Sequence, residues 1–99
     1  MMRYTFHHYY IRENMMESLT RYIAQGCPVG DFLSAVLAND LSDAVGRADD
    51  ENMANLPAYV AYLYNEAPPA CRGSREAVRS WITKFAEERD QLARKAGNT

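Results

Sequence analysis

The sequence predicts an all-α protein, a compact four-helix bundle-like single domain with a short extended N-terminal arm. Apolar side chains recur at helical spacing in four segments, 12–25, 31–47, 56–66 and 74–96, and glycine or proline punctuates the stretches between them. The connections are a few residues long, which folds consecutive helices back on one another as antiparallel neighbours. A chain of 99 residues buries about two thirds of its unfolded surface, enough for one core and no second domain.

Residues 1–11 alternate loosely as Tyr4, Phe6, His8 and Tyr10, the pattern of a short strand or an extended arm. In the first helix Met15, Met16, Leu19, Tyr22 and Ile23 share a face, and Gly26 followed by Pro28 stops it. The second starts at Asp31, whose carboxylate suits the positive end of the helix dipole, and is expected to bury Leu33, Val36, Leu37, Leu41, Ala44 and Val45. Asp40 interrupts this stripe, on the row Leu33, Leu37, Asp40, Ala44. A bare carboxylate there would be costly or would take up a proton, so Asp40 is expected to be buried and paired.

The run Asp49-Asp50-Glu51-Asn52 reads as a turn or a single helical turn. Pro57 fits the first turn of the third helix, where Tyr59, Val60, Tyr62, Leu63 and Tyr64 make an element apolar on most sides and therefore central. Pro68 and Pro69 end it. Ser74 is a good N-cap for the fourth helix, which carries Val78, Trp81, Ile82, Phe85 and Leu92 at helical spacing, with Trp81 and Phe85 in the core.

Hydrophobic residues make up 47% and charged residues 24%, ordinary proportions for a globular protein. The longest strongly apolar run is about five residues, against the ~18 that a membrane span requires, and the start Met1-Met2-Arg3-Tyr4 lacks a signal-peptide apolar region. The reading is a cytoplasmic protein with no membrane partner. Cys27 and Cys71 form neither a metal set nor a disulfide framework, and read as reduced thiols. Charge is segregated: from Gly26 to Glu66 seven acids face one base, Arg47, while from Ala67 onward seven bases outnumber four acids. Such halves attract within one fold or between subunits, and they argue against duplex nucleic acid as a partner, which needs a dominant basic face.

Several short patterns occur together along the chain: Tyr22-Ile23 before Gly26, Gly30-Asp31-Phe32-Leu33, Asn39-Asp40-Leu41, Arg47-Ala48-Asp49, Leu56-Pro57-Ala58-Tyr59-Val60, Tyr62-Leu63-Tyr64-Asn65-Glu66-Ala67-Pro68, and Gly73-Ser74 before Trp81-Ile82. Over residues 15–82 the chain resembles small all-helical proteins encoded by phages and prophages. That resemblance brings no assigned catalytic motif. It implies a phage accessory protein working in the host cytoplasm.

The best phosphate-binding candidate is Gly73-Ser74 at a helix start between Arg72 and Arg75: free amides, a dipole end, a hydroxyl and two guanidinium forks. A capped helix with two solvated arginines is the plainer explanation. Tyr9, Tyr10 and Arg12 combine rings and a guanidinium suited to stacking on a base, contributed from a second subunit of a homo-oligomer, and equally suited to packing over the core. Asn39, Asp40 and Asp49 read as structural polar residues. Asp40 would accept from backbone amides or from Arg47 or Arg72. His7 and His8 have no partner at zinc-ligand spacing, no nucleophile elbow or Cys-His pattern is present, and neither an enzyme nor a cofactor is expected. Three functions fit: sequestration of a nucleotide signal of bacterial immunity, docking on a host or defence protein through Asp43, Asp49, Asp50 and Glu51, or a structural or packaging role in the virion.

Overall fold

A computed structural model of the chain describes residues 4–97; the first three residues of the expected arm and the last two of the chain lie outside the described residues. The described chain is mostly helical. It opens with an antiparallel hairpin of β1 (Tyr4–Phe6) and β2 (Tyr9–Ile11), followed by α1 (Glu13–Gln25), α2 (Asp31–Leu37), α3 (Leu41–Arg47), α4 (Asp50–Ala54), α5 (Leu56–Asn65), a 3-10 turn at Pro69–Cys71 and α6 (Arg75–Gly97). No helix among the described residues is long and apolar enough to cross a membrane.

The expected extended arm is a hairpin instead. Tyr4 pairs with Ile11 and Phe6 with Tyr9, and His7 turns the chain at a φ of 55°. Two strands alone are marginal in water; these are held because Ile11 is fully buried and the Tyr4 ring meets Tyr62 of α5 edge-on at 5.1 Å.

Six helices replace the four expected, and four of them have ten residues or fewer, so a bundle of four long helices does not describe the architecture. The expected helix 31–47 breaks at Asn39, which takes a φ of 61°, a conformation asparagine tolerates better than most residues. Asp40 then restarts the chain as the N-cap of α3, its Oδ1 accepting from the Asp43 amide at 3.1 Å. The break satisfies its own backbone: Asp40 N–H donates to Ala35 O at 2.9 Å, and Gly73 N–H to Leu37 O at 2.8 Å. Because the helical row ends at the break, Asp40 is not buried; its side chain is 42% exposed. Leu41 and Val45 likewise face solvent, whereas Leu33, Leu37 and Ala44 are buried as expected.

Tyr22, Tyr59, Ile11, Leu19, Leu37 and Cys71 are the largest fully buried side chains, and they join the hairpin, α1, α2 and α5 in one core. Each buried aliphatic side chain contributes about 1.5–3 kcal/mol. The two buried phenols keep a partner: Tyr22 donates to Cys71 O at 2.7 Å and Tyr59 to Asn52 Oδ1 at 2.6 Å. Burial raises the pKa of both. Helix α5 is central on one side only, since Tyr59 and Leu63 are buried while Val60 and Tyr64, four residues apart, are exposed. Both thiols are free, Cys71 buried and Cys27 half-buried.

Helix α6 packs through its first half. Val78 is buried; Trp81, Ile82 and Phe85 are half-buried, and Trp81 Nε1 donates to Tyr22 O at 2.9 Å. Trp81 and Phe85 therefore cap the core from its edge rather than sit inside it. Beyond Phe85 the helix is exposed, Leu92 included, and Arg89 alone reaches back to α1 among the described hydrogen bonds, donating to Gln25 O at 2.7 Å.

Candidate functional site

Of the seven bases from Ala67 onward, Arg75 alone forms an ion pair with the acidic stretch among the described residues; the other paired acids of that stretch meet Arg12 and Arg47. Arg12, at the end of the hairpin, uses all three guanidinium nitrogens: Nε to Asn14 Oδ1 at 3.0 Å, Nη1 to Glu51 at 2.9 Å and Nη2 to Asp49 at 3.0 Å. Tyr10 donates its hydroxyl to the same Glu51 at 2.6 Å and its amide to Asn55 Oδ1 at 2.9 Å. Asp49 also caps α4 by accepting from the Asn52 amide at 2.8 Å. The Arg12 guanidinium, with the Asn52 amide, holds the Asp49 carboxyl below the usual carboxylate range; the Tyr10 hydroxyl and then Arg12 do the same for Glu51. Tyr10, Arg12 and Asp49 thus act together as the clasp that pins the hairpin onto α4 and α5.

A second cluster surrounds the α2–α3 break. Asp43 lies between two guanidiniums, Arg75 Nη2 at 2.9 Å and Arg47 Nε at 3.1 Å, which lower its pKa. Arg75 Nη2 also meets Asp40 at 3.1 Å, and Arg47 Nη1 meets Asp31 at 3.1 Å. Asp40 thus accepts from a backbone amide as expected, and its arginine partner is Arg75, not Arg47 or Arg72. Asn39 makes the turn.

Ser74 is the cap the sequence predicts: its Oγ accepts from the Ala77 amide at 3.0 Å at the start of the 23-residue α6. Gly73 precedes it at a φ of 116°, with nothing within 4 Å of the position a Cβ would occupy. Arg72 donates Nε to Leu63 O at 2.8 Å and lies 4.8 Å from the centre of the Tyr64 ring. Arg72 and Arg75 are each held by a single nitrogen, and their remaining N–H groups have no partner among the described residues. The structure brings Arg72, Ser74 and Arg75 to one place. No hydrogen bond or ion pair among the described residues joins them to Tyr9, Tyr10 or Arg12 of the same protomer. Tyr9 remains half-buried, its ring 4.1 Å from that of His8.

A cleft of about 380 Å³ opens between α1, α2 and the α3–α4 region. Its apolar floor is Phe32 and Leu33, and Arg12, Arg47, Asp31 and Asp49 line it. Asn52 also lines it; this side chain, read from the sequence as a turn residue, is 3% exposed. Its contact with Tyr59 crosses from α4 to α5 over the turn at Asn55, so no single helical period in the sequence could have announced it.

No family model, curated protein or solved structure matches the chain.

Proposed function

We propose that the protein is a non-enzymatic phage accessory protein, a homo-oligomer that sequesters a small anionic nucleotide of the kind used as a signal in bacterial immunity. The observation that carries this reading is the start of α6. There Ser74 caps a long helix between two guanidiniums, each anchored at one nitrogen with its other N–H groups unpartnered among the described residues. Anchoring lowers the entropy lost when such a fork closes on phosphate oxygens, and the helix dipole adds to the attraction. Asp40 and Asp43 oppose it, so the phosphate has to outbid neighbouring carboxylates rather than enter a purely basic pocket. Tyr10 and Arg12 are held in the hairpin clasp, and of the ring-bearing N-terminal residues Tyr9, beside His8, is the one we assign to stack on a base from a second subunit.

The reading is tested by melting the protein with a panel of cyclic and linear nucleotides, because a ligand bound by the folded form alone raises the Tm. Arg72→Ala and Arg75→Ala should each weaken binding roughly ten-fold or more, the effect of losing a charge-assisted hydrogen bond. Light scattering should find an assembly larger than one 11.3 kDa chain.

A second reading, docking on a host or defence protein, is favoured by two exposed apolar pairs at helical spacing, Leu41 with Val45 and Val60 with Tyr64. A nucleotide panel that gives no thermal shift selects it.

A further inference from the structure

We infer that the cleft between α1, α2 and α4 is a binding site for a small zwitterion with an apolar body, the chemistry of a free hydrophobic α-amino acid. This does not depend on the nucleotide reading, which concerns the start of α6.

Asn52 Oδ1 is taken by the Tyr59 hydroxyl, which orients the carboxamide, and Nδ2 then has no acceptor among the described residues. A donor sealed in the interior without a partner would be destabilising, and no such sealed, unpartnered side-chain atom exists among the described residues. Nδ2 of this nearly buried residue therefore opens onto the cleft that Asn52 lines. A second donor is close to the same cleft: Arg47 spends Nε and Nη1 on Asp43 and Asp31, leaving Nη2.

Charge decides the ligand class. Arg12 and Arg47 each face two carboxylates, Asp49 with Glu51 and Asp31 with Asp43, so a simple anion would enter against four negative groups. A simple cation would leave the Asn52 donor without an acceptor. A zwitterion answers both. Its carboxylate accepts from Asn52 Nδ2 and Arg47 Nη2, and its ammonium donates to Asp31, which holds a single arginine nitrogen and is 81% exposed. Its side chain lies against half-buried Met15, with the small accessible edges of Phe32 and Leu33 beneath. A volume of about 380 Å³ is ample for a leucine- or phenylalanine-sized amino acid.

The test is amide-resolved NMR titration of the full chain with L-leucine, L-phenylalanine, isoamylamine, which lacks the carboxylate, and N-acetyl-L-leucine, which lacks the ammonium. The two amino acids should move the Asn52 side-chain amide pair and the Leu33 amide, while the two truncated probes bind roughly ten-fold more weakly or not at all, each having lost a charge-assisted hydrogen bond. Asp31→Asn, a change on the surface, should weaken L-leucine by a similar factor and leave the Tm within a few degrees of the parent. No movement at millimolar amino acid overturns the inference. So do equal shifts from all four probes, or shifts confined to residues outside the cleft.

Discussion

Replacing Gly26 by alanine should be among the most damaging single-methyl additions the chain can suffer. Gly26 ends α1 at a φ of 66°, with its amide returning to Tyr22 O at 2.9 Å. An L-residue in that conformation costs roughly 1–2 kcal/mol. The added Cβ would stand 2.7 Å from Phe85 Cγ and Cδ2 and closer still to Phe85 Cβ, so α6 or the α1 terminus has to shift. Overpacking of this kind adds about 1–3 kcal/mol, for a total on the order of 2–5 kcal/mol against the ~5–15 kcal/mol that holds a domain together. At ~4–8 °C per kcal/mol for a domain of this size, the Tm should fall by about 8 °C or more. Far-UV circular dichroism during heating reads the change. Gly46→Ala is the control: it lies inside α3 with nothing within 4 Å of the new methyl, and should gain about 0.5–1 kcal/mol from lowered backbone entropy. Gly26→Ala combined with Phe85→Ala should recover only part of the loss, because the ring is gone while the Cβ at position 85, the nearest atom, remains. A Gly26→Ala protein melting within about 2 °C of the parent refutes both the left-handed terminus and the close seating of α6 on α1.

Asp40→Asn should keep the α3 cap and lose only the surface pair to Arg75, whereas Asp40→Leu should lose the cap and about 1 kcal/mol with it, and Asp40→Lys should be worse again by facing Arg75; equal Tm values for the three would remove the capping role. Asp43, Asp49 and Glu51 titrate below their unfolded values, so their contribution is complete above the ordinary carboxylate range near pH ~4 and is lost as the pH falls through the lowered folded values. A Tm profile should accordingly drop on the acid side, and the gap between the parent and Arg12→Gln should narrow there; a constant gap contradicts the clasp. Trp81→Ala removes a half-buried ring and its hydrogen bond to Tyr22 O, and should cost about 3 kcal/mol, read as a large fall in Tm.

The fold was legible where one physical cause acted alone. The limits of α1 and α6 follow from Gly26 and Ser74, and both cap as expected. At 31–47 two causes competed. The apolar row argued for one helix, while Asn39-Asp40 carried a left-handed residue followed by an N-cap, and the cap prevailed because Gly73, thirty-six residues away, supplies a donor to the carbonyl of Leu37 that the break exposes. A partner that distant leaves no local trace. The same holds for the candidate site: Arg72, Ser74 and Arg75 could be grouped by adjacency, but the acids that anchor Arg75 come from the far side of that break, and the Asn52 donor becomes visible only once Tyr59 is seen to occupy the other end of its carboxamide.

Helix α6 carries one consequence of its own. Its turns up to Phe85 are covered by α1 and the core, whereas the side chains described beyond Phe85 are exposed, and Arg89 is the one that hydrogen-bonds to α1 among the described residues. Helical segments of this length are marginal without packing, so amide hydrogens along this single unbroken helix should exchange with solvent on a steep gradient. Protection near that of the whole domain is expected around Val78, decaying within two or three turns beyond Phe85 to the rates of a fraying end. One element would then report two free energies, that of unfolding the protein and that of melting its own tip.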